Sequence, residues 1–491
     1  MPPPIANVFV LMLENRSFDH MLGFSGISGT DAETGGPTTV NGLKGTESNL
    51  YLGQGYAVSQ PAPDRMEVDP GHEFADVLTQ LCGPHAAYPA GGAYPGIDNS
   101  GFVADYAASP SPREGNAPGN FGDIMKCCSP EQLPVLNTLA KAFAVCDNWF
   151  SSIPGPTWPN RFFACAASSG GLDHSPTSGE IARWEAFAGF AFPNGSIFDA
   201  LDTKSSQYGW RIFAGDAFPG AGALKGITLS AISSFDAFPG AVADPNYPWL
   251  YTWIEPNYGD VANGTFLGGT SQHPLDGLSQ GEAMIKQTYE AIRNSPHWES
   301  SLLIVTWDEH GGFYDHVAPP AATPPGDTQP GAQFNQYGFT FGQYGVRVPA
   351  LVVSPLIPAN LIDHRLYDHS SIPATVEAVF GLPPLTARDA AANALTTLLK
   401  LDNAREAPLA LPDPPPAAAP LMAMRAAPPD APIDKSLPGF LHVAMRHDMA
   451  LSPPEAQPAI LARVQAITTR AQAAQYLDEV GARVRARWAA G

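Results

Sequence analysis

Three separated segments of this 491-residue chain carry side chains whose types and spacing can do chemistry. They are Glu14-Asn15-Arg16-Ser17-Phe18-Asp19-His20, Gly155-Pro156-Thr157-Trp158-Pro159-Asn160-Arg161 and Asp308-Glu309-His310-Gly311-Gly312-Phe313-Tyr314-Asp315-His316-Val317. Glu14 and Asn15 directly follow an apolar run, and so do Asp308 and Glu309. Neighbouring parallel strands would bring these four side chains together at one sheet edge. Three carboxylates packed together repel strongly unless protons or a cation intervene. Their oxygens are hard ligands, suited to Mg, Ca or Mn, and Zn also accepts carboxylates. A solvated loop start is the plainer reading of any one acid. Two adjacent polar pairs, each closing a strongly apolar run, favour a divalent metal site.

Thr157 offers a hydroxyl in a Gly-Pro-rich loop. Contact with a metal would lower its pKa and align it for attack on phosphorus. Taken alone, such a Thr is an ordinary turn residue. Asn160 and Arg161 either hold non-bridging phosphate oxygens or brace the loop. His273 is placed to protonate a leaving alkoxide as general acid. His72, in Asp69-Pro-Gly-His-Glu-Phe74, is a candidate donor to phosphate oxygens. His316 follows Asp315, whose carboxylate can fix its tautomer, and joins the candidate substrate contacts. The bland reading of each His is a hydrogen-bonded loop residue.

These groups need a scaffold that holds them at strand ends. Ile5–Leu13 is short, apolar and rich in strand formers, as expected of a strand buried on both faces of a parallel sheet. Leu302–Trp307 and Val348–Ser354 read the same way, with weaker candidates at Ala144–Trp149 and Trp210–Phe213. Gly281–Asn294 places Ile285, Thr288, Tyr289 and Ile292 on one helical face, and Leu133–Phe143 and Ser371–Phe380 follow suit. The alternation predicts an α/β domain with helices on both faces of a mostly parallel sheet, its site at the carboxyl ends of the strands. That domain is expected over residues 1–405. A Pro/Ala-rich linker over 406–435 and a helical extension over 436–491 follow, with helical spacing clearest in Pro454–Trp488.

Bulk composition narrows the partners. Hydrophobic residues make up 44% of the chain and charged ones 15%, which suits a compact globular protein. A formal net charge of −21 argues against nucleic acid, whose phosphates need a basic surface. The same charge repels strongly anionic membranes and leaves zwitterionic lipids or soluble esters open. The five cysteines include no CxxC pair, and each is expected to be a buried structural thiol. No apolar stretch has the ~18 residues of a transmembrane helix. The first apolar run is expected to belong to the fold, so the chain is either cytoplasmic or a mature secreted form.

The three segments, followed by Pro319-Pro320, Gly345-Val-Arg-Val-Pro349, Ser354-Pro355 and Asp368-His369-Ser370-Ser371-Ile372, stand in one order. Together they resemble the signature segments of the non-specific phospholipase C and acid phosphatase family over roughly residues 5–385. The resemblance implies an alkaline-phosphatase-like α/β fold and a hydroxyl nucleophile that forms a transient phosphoenzyme. By position it implies Thr157 as nucleophile, Glu14, Asn15, Asp308 and Glu309 as metal site, and His72 and His273 in the phosphate pocket. Phospholipases of the family carry Thr-x-Pro-Asn-Arg, as here, whereas some acid phosphatase relatives use Ser. Phospholipase C is therefore the favoured activity, and a phosphatase acting on soluble monoesters the alternative.

Other chemistries fit less well. Thr157-x-Pro159-x-Arg161 has sulfatase spacing, but Thr cannot supply the formylglycine aldehyde. Gly277-Leu-Ser279-Gln-Gly281 matches a nucleophile elbow literally, yet no buried strand precedes it. A non-catalytic binding protein would be expected to have lost the nucleophile or the ligands, and all are present. Trp184, Phe187, Phe190 and Phe192, and later Tyr247, Trp249, Tyr251, Trp253 and Tyr258, form two aromatic stretches. They are either an apolar wall or choline cage, or ordinary core.

Overall fold

The computed structural model describes residues 5–109, 118–183, 188–204, 209–327, 334–417 and 427–490. Trp184 and Phe187 lie outside them. Asn7–Leu13 is a strand with every position buried, because strands flank it on both sides. It pairs in parallel with Ser301–Trp307 and with Tyr251–Glu255, near the middle of a ten-stranded sheet among the described residues. Beyond Tyr251–Glu255 come Trp210–Ala214 and Ile232–Ser234, both parallel. On the other side Ser301–Trp307 pairs with Ala350–Val353, then come Ala144–Cys146, Leu361–Asp363, Ser28–Asp31 and Pro37–Thr39. The sheet is mostly parallel, as expected.

One strand runs against expectation. Ala350–Val353 is buried on both faces but antiparallel to both neighbours. An apolar run reports burial and carries no sign of direction. Tyr251–Glu255 was not distinguishable as a strand, because its Tyr, Trp and Ile read equally as an aromatic patch. The expected helices form as Pro134–Ala142, Leu278–Arg293 and Ser371–Phe380. Leu278–Arg293 buries Ile285, Thr288, Tyr289 and Ile292, and Ser279 sits in its first turn with no elbow before it. The described aromatics of the two stretches serve the core: Phe190 packs on Phe162, and Tyr258 and Trp253 both bond Glu255.

Residues 407–411 lie along the Leu278–Arg293 helix. Tyr289 Oη donates to the Pro408 carbonyl at 2.6 Å, and Arg293 donates to the Ala407 carbonyl. The C-terminal helices Leu437–Ala450, Gln457–Gln465 and Arg470–Ala489 follow. Leu437, Leu441, Tyr476 and Val480 share one apolar cluster with Ala217, Leu229 and Ala262, so this region packs on the sheet-bearing body. Among the described residues all five cysteines are free thiols. Four are buried and Cys82 is half-buried. No helix among them is long and apolar enough to cross a membrane.

Candidate active site

The register of the two central strands builds the carboxylate cluster. Leu13 pairs with Trp307, so Glu14-Asn15 and Asp308-Glu309 leave the sheet side by side. Asn15 turns into the left-handed region at φ 61°, and its N–H donates to Asp308 Oδ1 at 3.0 Å. Gly311 has to be glycine: at φ 63° a Cβ there would stand 2.2 Å from the Asn15 carbonyl oxygen. Gly311 N–H then holds Glu309 Oε2 at 2.7 Å, while His310 Nε2 pairs with Gln80 Oε1 at 2.7 Å.

Thr157 is the first residue of the Thr157–Ala166 helix, where the helix dipole favours an anion. Its Oγ1 stands 3.5 Å from Asn15 Oδ1. Asn160 braces the preceding loop: its Oδ1 accepts from Ile153 N–H, and its Nδ2 donates to the Gly155 and Pro156 carbonyls. Those bonds occupy its amide. Arg161 donates from Nε to Asp308 Oδ2 at 2.8 Å and from Nη2 to the Leu13 carbonyl at 2.8 Å. It pins the Thr157–Ala166 helix to the strand end that carries the cluster.

Around Thr157, a cavity of about 20 Å³ is lined by Glu14, Asn15, Asp69, His72, Phe266, His273 and residues 434–437. His273 stacks on Phe266 with centroids 3.5 Å apart. Its Nδ1 accepts from Leu275 N–H, so the ring proton belongs on Nε2, which lies 3.6 Å from Asp69 Oδ1. Arg16 holds this segment by donating to the Gln272 and His273 carbonyls. His72 Nδ1 bonds the Pro70 carbonyl at 3.2 Å. Burial alone would lower its pKa, but the charges of Glu309 and Asp69 outweigh that and raise it. Lys435 Nζ sits 3.0 Å from Asp69 Oδ2.

His316 lies elsewhere. Its Nδ1 contacts Asp19 Oδ2 at 2.7 Å, and Arg347 joins the same group through Asp19 and Asp315. Donor atoms of Asp19, Asp315 and His316 are close enough to hold an ion, but Arg347 already supplies positive charge there. It reads as an ion-pair network.

The cluster at Thr157 is different, because its buried oxygens are not satisfied. Glu14 Oε2 and Glu309 Oε1 have no hydrogen-bond partner. Burial drives the Glu14 carboxyl well above the ordinary range, with Asp308 adding to it and Arg161 opposing. Burial likewise lifts Glu309 to about 8, against His72 and helped by Asp308. Buried acceptors without donors are costly, and bound positive charge would offset that cost. Hard carboxylate and amide donors fit a divalent cation. Asp308 is more fully occupied, with Oδ1 accepting from the Asn15 and Glu309 amides and Oδ2 from Arg161.

Of the sequence candidates, Glu14, Asn15, Thr157, His72 and His273 line one cavity, and Asp308, Glu309 and Arg161 support it from behind. Asp69 was within reach of sequence reasoning, since it opens the Asp69–Phe74 segment. Lys435 was not, being a lone Lys beyond a Pro/Ala-rich run.

A buried hydroxyl at a helix N-terminus, beside unsatisfied carboxylates at the carboxyl edge of a mostly parallel sheet, makes this an α/β protein with its candidate site at the sheet edge. Comparison with known proteins narrows the class. The chain belongs to the phosphoesterase family, whose model matches residues 5–383, and it is a hydrolase of phosphoric ester bonds. Non-specific phospholipase C6 of Arabidopsis thaliana is 36% identical over 404 residues, covering 79% of this chain and 70% of that protein. Phospholipase C B of Mycobacterium tuberculosis is 30% identical over 433 residues, covering 80% and 77%. Among solved structures, a phosphonate monoester hydrolase of Agrobacterium radiobacter matches 55% of this chain and 73% of its own at 12% identity, with a TM-score of 0.32.

Proposed function

We propose that this phosphoesterase is a phospholipase C, which cleaves glycerophospholipids to diacylglycerol and a phosphorylated head group through a phosphothreonine at Thr157. The observation that carries the reading is Thr157 Oγ1, held at a helix N-terminus 3.5 Å from Asn15 in the cavity lined by Glu14, His72 and His273. The names of the relatives supply the substrate class.

Glu14, Asn15, Asp308 and Glu309 would hold a divalent cation (Ca, Mg, Mn or Zn), whose charge would favour the ionised hydroxyl of Thr157. In the first step the Thr157 oxygen bonds to phosphorus and the bond from phosphorus to the glycerol oxygen breaks. The imidazolium form of His273, which forgoes the 3.3 Å bond from Leu275 N–H, gives its Nε2 proton to the departing alkoxide and is left as a neutral ring. In the second step water adds to phosphorus, the bond to Thr157 breaks, and His273 takes a proton back. His72 donates to a non-bridging oxygen. Positioning and electrostatic stabilisation supply most of the rate.

The cavity holds about one water. A head group therefore needs residues 434–437 to shift, and the C-terminal extension takes part in substrate access on this reading. The test compares phosphatidylcholine with an aryl phosphate monoester, using wild type and Thr157→Ala. Release of diacylglycerol and phosphocholine by wild type alone supports the proposal. Turnover of the monoester only makes the protein a phosphatase with the same site.

A further inference from the structure

A β-hairpin far in sequence from the nucleophile carries two leucines that the fold does not use. Its strands, Ser48–Tyr51 and Gln54–Ala57, pair antiparallel with Leu50 opposite Gly55 and Tyr51 opposite Gln54. Leu50 is 70% exposed and Leu52 86% exposed. Among the described residues only one other large hydrophobic, Leu409, is comparably open.

Leu52 is the wrong residue for its place on two independent grounds. It occupies the turn at φ 49° beside Gly53 at φ 79°, a two-residue left-handed turn that favours Asn, Asp or Gly. It also projects a full isobutyl group into solvent. Leu50 points to the same outer face, where its cross-strand partner Gly55 offers no side chain to cover it. The inner face is anchored. Tyr51 packs on Phe121, and Asn49 donates to the Asn99 carbonyl, while Asn99 donates to the Asp315 carbonyl. The hairpin is thus tied to the loop that carries Asp308 and Glu309.

Its charge pattern names the partner. From Ser48 to Pro63 no residue is charged, in a chain of formal net charge −21. Attraction to an anionic surface is unavailable to such a protein, and apolar insertion needs no charge. A convex tip with two leucines, flanked by half-buried Tyr51 and Tyr56, suits a deformable apolar layer with a polar boundary.

We infer that the Ser48–Ala57 hairpin is a lipid-surface contact that inserts Leu50 and Leu52 into a zwitterionic bilayer. The inference rests on the phospholipase reading for its choice of partner. Full-length protein is floated with phosphatidylcholine vesicles, wild type against the double variant Leu50→Thr, Leu52→Gly. Thr suits the strand and Gly suits the positive φ, so the hairpin is kept, and a thermal melt checks this. Vesicle affinity should fall roughly tenfold or more, with little dependence on salt. Turnover of a soluble aryl phosphodiester should be unchanged, and turnover of vesicle phosphatidylcholine should fall with binding. Equal flotation of variant and wild type overturns the inference, as does failure of wild type to float. A wild-type dimer that the double variant abolishes assigns the leucines to a second copy of the chain and also overturns it. Leucine-dependent flotation without lipid hydrolysis would leave this surface standing and sink the phospholipase reading alone.

Discussion

Lys435 and Asp69, 366 residues apart in sequence, meet at 3.0 Å on the wall of the cavity that holds Thr157. Asp69 also faces His273 at 3.6 Å, so the C-terminal segment reaches the group proposed as general acid. Lys435 itself is held at φ 49°, an uncommon conformation for an L-residue. Strain at such a position is retained where the surroundings impose it.

The first prediction follows from charge. Glu14 and Asp69 line the cavity proposed to take the phosphate anion, Asp308 and Glu309 lie behind it, and Arg161 is already committed to Asp308. Lys435→Ala is expected to lower kcat/KM for phosphate esters about tenfold or more, with Lys435→Arg recovering part of it. The melting temperature should fall as well, because Lys435 is partly exposed but the Asp69 carboxylate that it contacts is buried. Steady-state kinetics with parallel melts check this, and unchanged kcat/KM would remove Lys435 from the site.

Thr157→Ala should abolish turnover by roughly three orders of magnitude or more, and Thr157→Ser should keep a measurable fraction. The hydroxyl makes only a 3.5 Å contact with Asn15, so its loss should leave the fold intact. Brief reaction with labelled substrate followed by an acid quench should trap label on wild type and none on Thr157→Ala. Label retained by the Ala variant would move the nucleophile elsewhere.

A third prediction concerns pH and stability away from Thr157. His174 lies between Asp173, at 2.9 Å, and Glu180, at 3.0 Å. Burial opposes its protonation, but hydrogen bonds to both acids prevail and raise its pKa above 6.5. The protonated ring therefore adds stability that is complete below 6.5 and lost as pH rises through the raised value. Burial pushes Glu180 the other way, yet its bonds to Thr177 and His174 lower it below 4.5. Its share is present above 4.5 and lost on acidification through the lowered value. His174→Gln should cost most between about pH 4.5 and 6.5, and progressively less above that window. Urea melts across pH check it, and a cost independent of pH would show that the charge does not matter. Asp173 also accepts from the Gln336 and Tyr337 amides, so this triad fixes the loop that stacks Tyr337 on Phe74.

The sequence made much of this scaffold legible because two different signals coincided. Apolar runs ending at Leu13 and Trp307 marked the strands, and the polar pairs after them marked the edge at which the register Leu13 to Trp307 places both. Strand direction was not legible for Ala350–Val353, since burial on both faces looks the same either way. The roles of polar residues were legible only as alternatives. Asn160 had two readings, and its bonds to Ile153, Gly155 and Pro156 are those of the bracing one. His316 was grouped with the substrate contacts by its neighbour Asp315, whereas its side chain turns to Asp19. Lys435 carried no local signal, because its significance lies in a contact across 366 residues.

Glu14 offers the sharpest separation of function from stability. Its carboxyl is buried, with Oε2 unpartnered and Asp308 close enough to repel it. In the metal-free protein this arrangement costs free energy that a divalent cation would recover on binding. Glu14→Gln keeps the size of the side chain and removes the group that burial and Asp308 disfavour in its ionised form. It should therefore abolish activity and weaken cation binding, yet leave the metal-free protein as stable as wild type or more so. In calorimetry after chelation, the variant should melt at or above wild type. Adding back Mg, Ca, Mn or Zn should then raise the wild-type melting temperature much more than that of the variant. A variant that melts well below wild type without metal would mean that Glu14 is paired and structural. Equal upward shifts of both on adding each metal would place the cation elsewhere.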